Sequence, residues 1–273
     1  MTNRINLLAN VSPRATSKQS TVELHVVAAS GEFVGTFMFL FLAFCGHTMA
    51  VPTQPGNANG PDGTNDNSTV VYIALAYGFS LLVTAWAMYR VSGGLFNPAV
   101  TLGLVLTGHV PAVRGLILLV PQLLGAICAA GIVAAIIPGP TSIVQTTLNS
   151  SMNSAQGVFL EMFLTSMLVY TVIMLAGEKS KDTYIAPVGI GLALFVCEVA
   201  GVFYTGASLN PVRSFGPCVV GMNFQSYHCL YWVGPFLGAL VSAGYYGFVK
   251  YFNYEQANPG QDSTGGGLEG EES

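Results

Sequence analysis

Asn97 and Asn210, each followed by proline, are the residues whose types and spacing could act together chemically. They lie in two twelve-residue stretches, SGGLFNPAVTLG at 92–103 and TGASLNPVRSFG at 205–216, in register at an offset of 113 positions (210 − 97). The same offset superposes Gly93 on Gly206, Pro98 on Pro211 and Gly103 on Gly216. Asn before Pro starts a helix: the side-chain oxygen caps free backbone N–H groups, and Pro in the first helical position has no N–H to leave unpaired. The amide nitrogen of the same Asn stays available to donate to a neutral polar molecule, while a helix N-terminus, with an effective charge of about +0.5, opposes cations. Arg213, three positions after Asn210, is a third candidate.

The surrounding chain is made for lipid. Only 8% of the 273 residues are charged, against about 25% in a soluble domain, and 52% are hydrophobic, which predicts a polytopic membrane protein in one domain, 26–252. Six apolar runs of spanning length occur at 26–50, 69–90, 112–137, 156–177, 185–204 and 229–252. The pieces 98–107 and 211–220 follow the second and fifth runs and are too short to cross, as expected of broken helices dipping partway into the bilayer. The predicted fold is therefore all-α, six transmembrane helices plus two half-helices. Three spans per half make the two repeats, about 26–137 and 155–252, inverted. Residues 1–25 read as a polar tail without a cleavable signal, and 253–273 as a disordered acidic tail carrying Glu269, Glu271 and Glu272.

Charge sets the expected orientation. Arg4, Arg14, Lys18, Arg90, Arg114, Lys179, Lys181 and Lys250 share one side if both termini are cytoplasmic, whereas the loops 52–68 and 138–154 contain no Lys or Arg. Asn67 and Asn149 begin glycosylation sequons in those outer loops; a third match at Asn10 falls inside. Arg213 alone has no cytoplasmic place, and a lone cation at membrane depth is costly unless it lines water. The net charge of −4 says little about partners, and no nucleic-acid partner is expected. The five cysteines have no CxxC spacing and read as small hydrophobes, so neither metal nor cofactor is expected.

The doubled box resembles the signature of the aquaporin (major intrinsic protein) family, a pair of Asn-Pro-Ala motifs, and the resemblance covers about 30–250. Asn97-Pro98-Ala99 matches it; Asn210-Pro211-Val212 departs from it at Val212, whose β-branched side chain either spreads the two short helices or is absorbed by local shifts. The repeats also correspond at Glu32 with Thr36 and Glu161 with Thr165. The bland reading, buried carboxylates accepting from loop N–H groups, outweighs a catalytic one, and the resemblance implies the same loop-supporting role. Small residues at four-spacing, Gly31/Gly35 and Gly234/Gly238, predict close helix–helix approach.

By spacing from the boxes, the resemblance implies a four-residue filter of Tyr77, Glu198, Ala207 and Arg213. Glu198 departs from the His usual in water-selective members and the Gly of glycerol-conducting ones. Pointing inward, it would pair with Arg213 and cancel much of the filter's positive charge; the alternative is a Glu hidden in a helix contact. Ser214, where glycerol-type members have Asp, and the pair Tyr231-Trp232 resemble the water type, with Cys218 a mild departure. Tyr89 to Gly94 and the Gly-Gln-Asp-Ser of the tail look most like fungal members.

The expected activity is passive water conduction, with ions and protons turned away by the opposed half-helix dipoles and the Arg. The rivals are a channel for glycerol, hydrogen peroxide or urea, and a junction or adhesion protein on the same scaffold. His25, His47, His109 and His228 are scattered, without the HExxH or nucleophile–base spacing of an enzyme. Thr16, Ser17 and Ser180 near basic residues read as solvated surface. The resemblance further implies a homotetramer in the plasma membrane, in contact with lipid.

Overall fold

Backbone hydrogen bonds must be closed within each element where water is absent, and the chain does this with helices throughout. A computed structural model describes residues 20–51, 67–180 and 183–259. Among them lie α1 (Thr21–Ala50), α2 (Asn67–Met88), α3 (Pro98–Leu106), α4 (Ala112–Ile136), α5 (Ser154–Val172), α6 (Ala186–Thr205), α7 (Pro211–Val220), α8 (Leu230–Tyr251) and the single turn α9 (Tyr254–Ala257). A π-helical turn, Ile173–Gly177, extends α5. Six helices (α1, α2, α4, α5 with its π turn, α6 and α8) are long and apolar enough to cross a membrane.

The helix α1 starts at Thr21 rather than 26, so the N-terminal tail is shorter than the sequence suggested. The cause is a capping box: the Glu23 N–H donates to Ser20 Oγ (3.2 Å) and the Ser20 N–H to Glu23 Oε2 (3.0 Å). The remainder of that tail, the acidic tail from 260, most of the 52–68 loop, Asn10 and Lys181 lie outside the described residues.

The halves are arranged as inverted equivalents. Helix α1 packs on α4 as α5 packs on α8, and α2 meets α6 between them. The half-helices cross over: α7 lies against α4 and α3 against α8, with α3 and α7 touching. Gly234 and Gly238 do bring α8 onto α5; a β-carbon at either would come within 2.9 Å of the Val158 carbonyl or 2.5 Å of the Met162 carbonyl. Gly31 and Gly35 do something else. They face not a helix but the loop before α3: a β-carbon on Gly31 would press on Val91 and Ser92, and one on Gly35 would overlap the Phe96 ring.

Thr36 and Thr165 likewise serve packing. Their Cβ atoms lie 3.0 and 2.8 Å from where β-carbons would stand on Gly125 and Gly238. Neither hydroxyl has a hydrogen-bond partner among the described residues. Since Phe96 cannot move without unseating its loop, Gly35→Ala should lower the unfolding free energy in detergent by about 1–3 kcal/mol. Gly244→Ala, whose methyl meets nothing within 4 Å, should be neutral or stabilising by up to about 1 kcal/mol in the same chemical denaturation series.

Candidate functional site

The two non-helical loops are held from beneath by carboxylates. Glu32 Oε1 accepts from the Ser92 hydroxyl (2.7 Å) and the Leu95 N–H (3.0 Å), and Oε2 from the Phe96 N–H (2.8 Å). Glu161 repeats the set with donors 113 positions on: Oε1 accepts from the Thr205 hydroxyl (2.6 Å) and the Ser208 N–H (2.8 Å), Oε2 from the Leu209 N–H (2.9 Å). Gln122 adds a further donor to Glu32 at 2.7 Å and bonds the Thr101 hydroxyl at 3.0 Å. Phe96 (φ 51°) and Leu209 (φ 49°) occupy the left-handed region, a strained conformation for bulky residues.

That backbone turn delivers the two Asn side chains to each other's loop. Oδ1 of Asn97 caps α3 at the Ala99 N–H (2.8 Å), and Oδ1 of Asn210 caps α7 at the Val212 N–H (3.1 Å). The amide nitrogens cross: Asn97 Nδ2 donates to the Leu209 carbonyl (2.8 Å) and Asn210 Nδ2 to the Phe96 carbonyl (2.9 Å). Each amide has two hydrogens, so one stays free for a molecule passing between them. Val212 is fully buried, and the near-equal crossed bonds show that its extra methyls are absorbed locally.

Both Asn residues line one cavity of about 340 Å³. Towards the end remote from the chain termini it is lined by Tyr77, Glu198 and Arg213. Arg213 is almost wholly buried; Nη1 donates to the Val144 carbonyl (2.6 Å), and the guanidinium carbon lies 4.6 Å from the Tyr77 ring centroid. Glu198 faces the cavity but forms no ion pair with Arg213, contrary to expectation, and neither of its carboxylate oxygens has a hydrogen-bond partner among the described residues. The guanidinium is committed instead to Val144 and the Tyr77 face. Ala207, expected beside them, is buried, and its left-handed backbone (φ 44°) sets its methyl close to Gly201 of α6. Pro98, Ala99, Pro211 and Val212 are buried behind the Asn pair. Asn67 is exposed at the start of α2, whereas Asn149 spends its amide on the Phe203 carbonyl (3.3 Å).

Two histidines that the sequence reading passed over belong to this region. His47 contacts Tyr77, its Nδ1 3.3 Å from the Tyr77 hydroxyl. Its signal was helical spacing, for it ends the buried stripe of α1 that runs through Glu32, Thr36, Leu40 and Ala43. His109 lines the cavity near the termini. Its Nδ1 is 2.8 Å from the Thr107 hydroxyl, Nε2 is 3.8 Å from Glu178, and its ring is 5.5 Å from that of Tyr246. Glu178 also accepts from the Tyr246 hydroxyl and from Lys250 (3.1 Å), which in turn bridges to Glu255 (2.7 Å). Lys179 donates to Tyr89 (2.9 Å) and to the Ala176 carbonyl (2.7 Å).

Two half-helices meeting tip to tip within a continuous cavity, enclosed by six membrane-length helices in inverted halves, define a membrane channel. The model of the major intrinsic protein family matches residues 18–246, and the chain belongs to that family, the aquaporins. It is 57% identical over 263 residues to the probable aquaporin-3 of Gibberella zeae, covering 96% of this chain and 91% of that relative. It is 51% identical over 240 residues to aquaporin-7 of Botryotinia fuckeliana, covering 88% of this chain but only 53% of the relative, so it spans about half of that longer protein. Both relatives are fungal. The crystal structure of the aquaglyceroporin from Plasmodium falciparum superposes with a TM-score of 0.68 at 23% identity, over 85% of this chain and 99% of that one, a likeness of fold.

The cluster near the termini carries a pH dependence. Burial pushes the His109 imidazole below its ordinary value of 6.5, with Lys179 and Lys250 acting in the same direction and Glu178 against them. For Glu178, burial raises the carboxyl, but the hydrogen bonds from Tyr246 and Lys250 and the charges of Lys250 and His109 outweigh it and hold it below 4.5. Both folded-state values lie below the unfolded ones, so both contributions are present at neutral pH and fade as pH falls below 6.5 for His109 and below 4.5 for Glu178. Amide hydrogen exchange over 107–110 and 174–180 should therefore quicken on acidification, and His109→Gln should remove the upper part of that change.

Proposed function

We infer that the chain is a passive water channel that excludes ions and protons. The observation that carries this reading is the crossed pair Asn97 to Leu209 and Asn210 to Phe96 inside the one cavity that also reaches Tyr77, Glu198 and Arg213. Two positive helix ends and a free amide hydrogen from each side fix the orientation of a water passing between them, oxygen towards the amides. Its neighbours then point oppositely, which interrupts a proton-carrying chain, while the same helix ends raise the energy of any cation. Arg213 acts as the second barrier, at the outer narrowing formed with Tyr77 and Glu198.

Glu198 favours a second cargo beside water. Its unpartnered oxygens are acceptors opposite the donors of Arg213, and a solute that donates and accepts at both ends, such as hydrogen peroxide, satisfies both walls. Orientation follows the positive charges: Arg90, Arg114, Lys179 and Lys250 lie with the termini on the cytoplasmic side of the plasma membrane. The outward faces of α4 and α5, including Val113, Leu116, Phe159 and Phe163, meet lipid or neighbouring protomers of a homotetramer, each protomer conducting through its own cavity.

Stopped-flow shrinkage of proteoliposomes decides the main reading: vesicles bearing the protein should pass water well above empty ones, and equal rates end it. Arg213→Ala should raise cation leakage by at least about tenfold, the effect of losing roughly 1.4 kcal/mol or more of repulsion. Glu198→His should lower the ratio of peroxide to water permeability. An unchanged ratio would remove Glu198 from the selection of solutes.

A further inference from the structure

Tyr77 carries a hydroxyl at a place where a plain phenyl ring would fill the same space, and a buried phenol needs a partner. Its ring is already enclosed. Phe44 meets it edge-on at 6.4 Å between centroids, and the Arg213 guanidinium covers a face at 4.6 Å. The hydroxyl is met by His47, one turn beyond Phe44 on α1, with Nδ1 at 3.3 Å and the two rings edge to face at 5.9 Å and 74°. Tyr77 lines the cavity, and His47 belongs to the buried stripe of α1, so the hydroxyl bonded to it is turned towards α1. His47 is itself 8% exposed, which leaves little room for it to turn elsewhere.

The arrangement has one evident competitor. Glu198 sits on α6, which packs directly against α2, the helix of Tyr77, and both carboxylate oxygens are buried without a partner. A Tyr77 hydroxyl released from His47 gains a strong acceptor only by swinging towards the cavity. The geometry points to His47 as the positioning residue of the channel's narrow outer segment: it holds the Tyr77 hydroxyl out of the passage, so that Tyr77 presents only its ring to Arg213 and to permeating molecules. This rests on the reading of Tyr77, Glu198 and Arg213 as the segment through which cargo passes. It adds a residue from α1 to a site otherwise built by α2, α6 and α7.

The test is a mutant cycle in proteoliposomes, with each variant first shown to be monodisperse in detergent. His47→Leu should reduce water permeability by about fivefold, the population shift expected when one buried hydrogen bond is removed. His47→Gln, which keeps a donor and an acceptor, should recover most of it. Adding Tyr77→Phe to His47→Leu should bring permeability to the level of Tyr77→Phe alone, because without the hydroxyl nothing remains for His47 to hold.

Multiplicative effects of the two substitutions, or an unaltered His47→Leu channel, would overturn the proposal. A readout independent of transport separates this from failure of the channel reading itself. The ¹³Cζ resonance of Tyr77, assigned by its loss in Tyr77→Phe, should move on His47→Leu and return towards its original position in His47→Gln. A resonance that stays in place in His47→Leu would refute the contact even in a protein that conducts nothing.

Discussion

An unpaired peptide group at membrane depth costs several kcal/mol, and each of the two dipping loops carries several. The structure depends on how these are satisfied. Glu32 and Glu161 present acceptors, and every neighbour bonded to them is a donor. Phe96 and Leu209 complete the arrangement. Each gives its N–H to the carboxylate of its own half and its carbonyl to the Asn of the other half, forming the paths Glu32–Phe96–Asn210 and Glu161–Leu209–Asn97. A left-handed backbone at these two bulky residues is what aims N–H and C=O in those directions, and the bonds at both ends hold the strain in place. The cavity's midpoint is thus fixed by the residues that make the loops possible at all.

The scaffold is symmetric and the lining is not. At the offset of 113, Glu198 corresponds to Ala85 (198 − 113), Arg213 to Val100 and Tyr77 to Ile190. All six line the cavity. At these three positions one half of the passage carries small and aliphatic side chains, whereas its equivalent carries a cation, a carboxylate and a phenol. Repetition provides the fold, the crossed Asn pair and the dipoles; departure from it gives the two halves different linings at these positions. The other end has polar groups of a different origin. His109 and Lys179, with Glu178 beside His109, come from the ends of helices and the turns that follow them, outside the repeated boxes.

Much of this was legible in the sequence, and for definable reasons. The boxes, the paired Glu residues and the six apolar runs are short-range or periodic signals, each tied to a physical need that one residue type meets. What escaped was pairwise. The Val144 carbonyl that holds Arg213 comes from a loop whose composition says only that it is small and polar. The four-spacing of Gly31 and Gly35 reports that something comes close, but not that it is Phe96 rather than a helix. The left-handed backbone of Ala207 is likewise invisible in its distance from Asn210. His47 was discarded for lacking a motif, although its register on α1 with Glu32 already placed it on the buried face.

The gap between Glu198 and Arg213 is the feature that pairing rules handle worst. A buried carboxylate and guanidinium within reach would be expected to close into a bidentate pair, and such a pair would span the passage. Arg213 is kept from it by prior commitments. The 3₁₀ turn Thr141–Val144 offers it a carbonyl. That loop is fastened in turn through the Thr146 hydroxyl to Ser214 (2.8 Å), through Ser214 to Ser208 (2.6 Å), and through the Asn149 N–H to the Tyr204 carbonyl (2.8 Å). With Nη1 tied to one wall, both side chains line the cavity while the Glu198 oxygens and Arg213 Nε stay buried without a partner among the described residues. On the proposed reading, a molecule able to accept from Arg213 and donate to Glu198 would replace there the bonds it leaves behind in water, whereas a cation would meet a fixed positive charge.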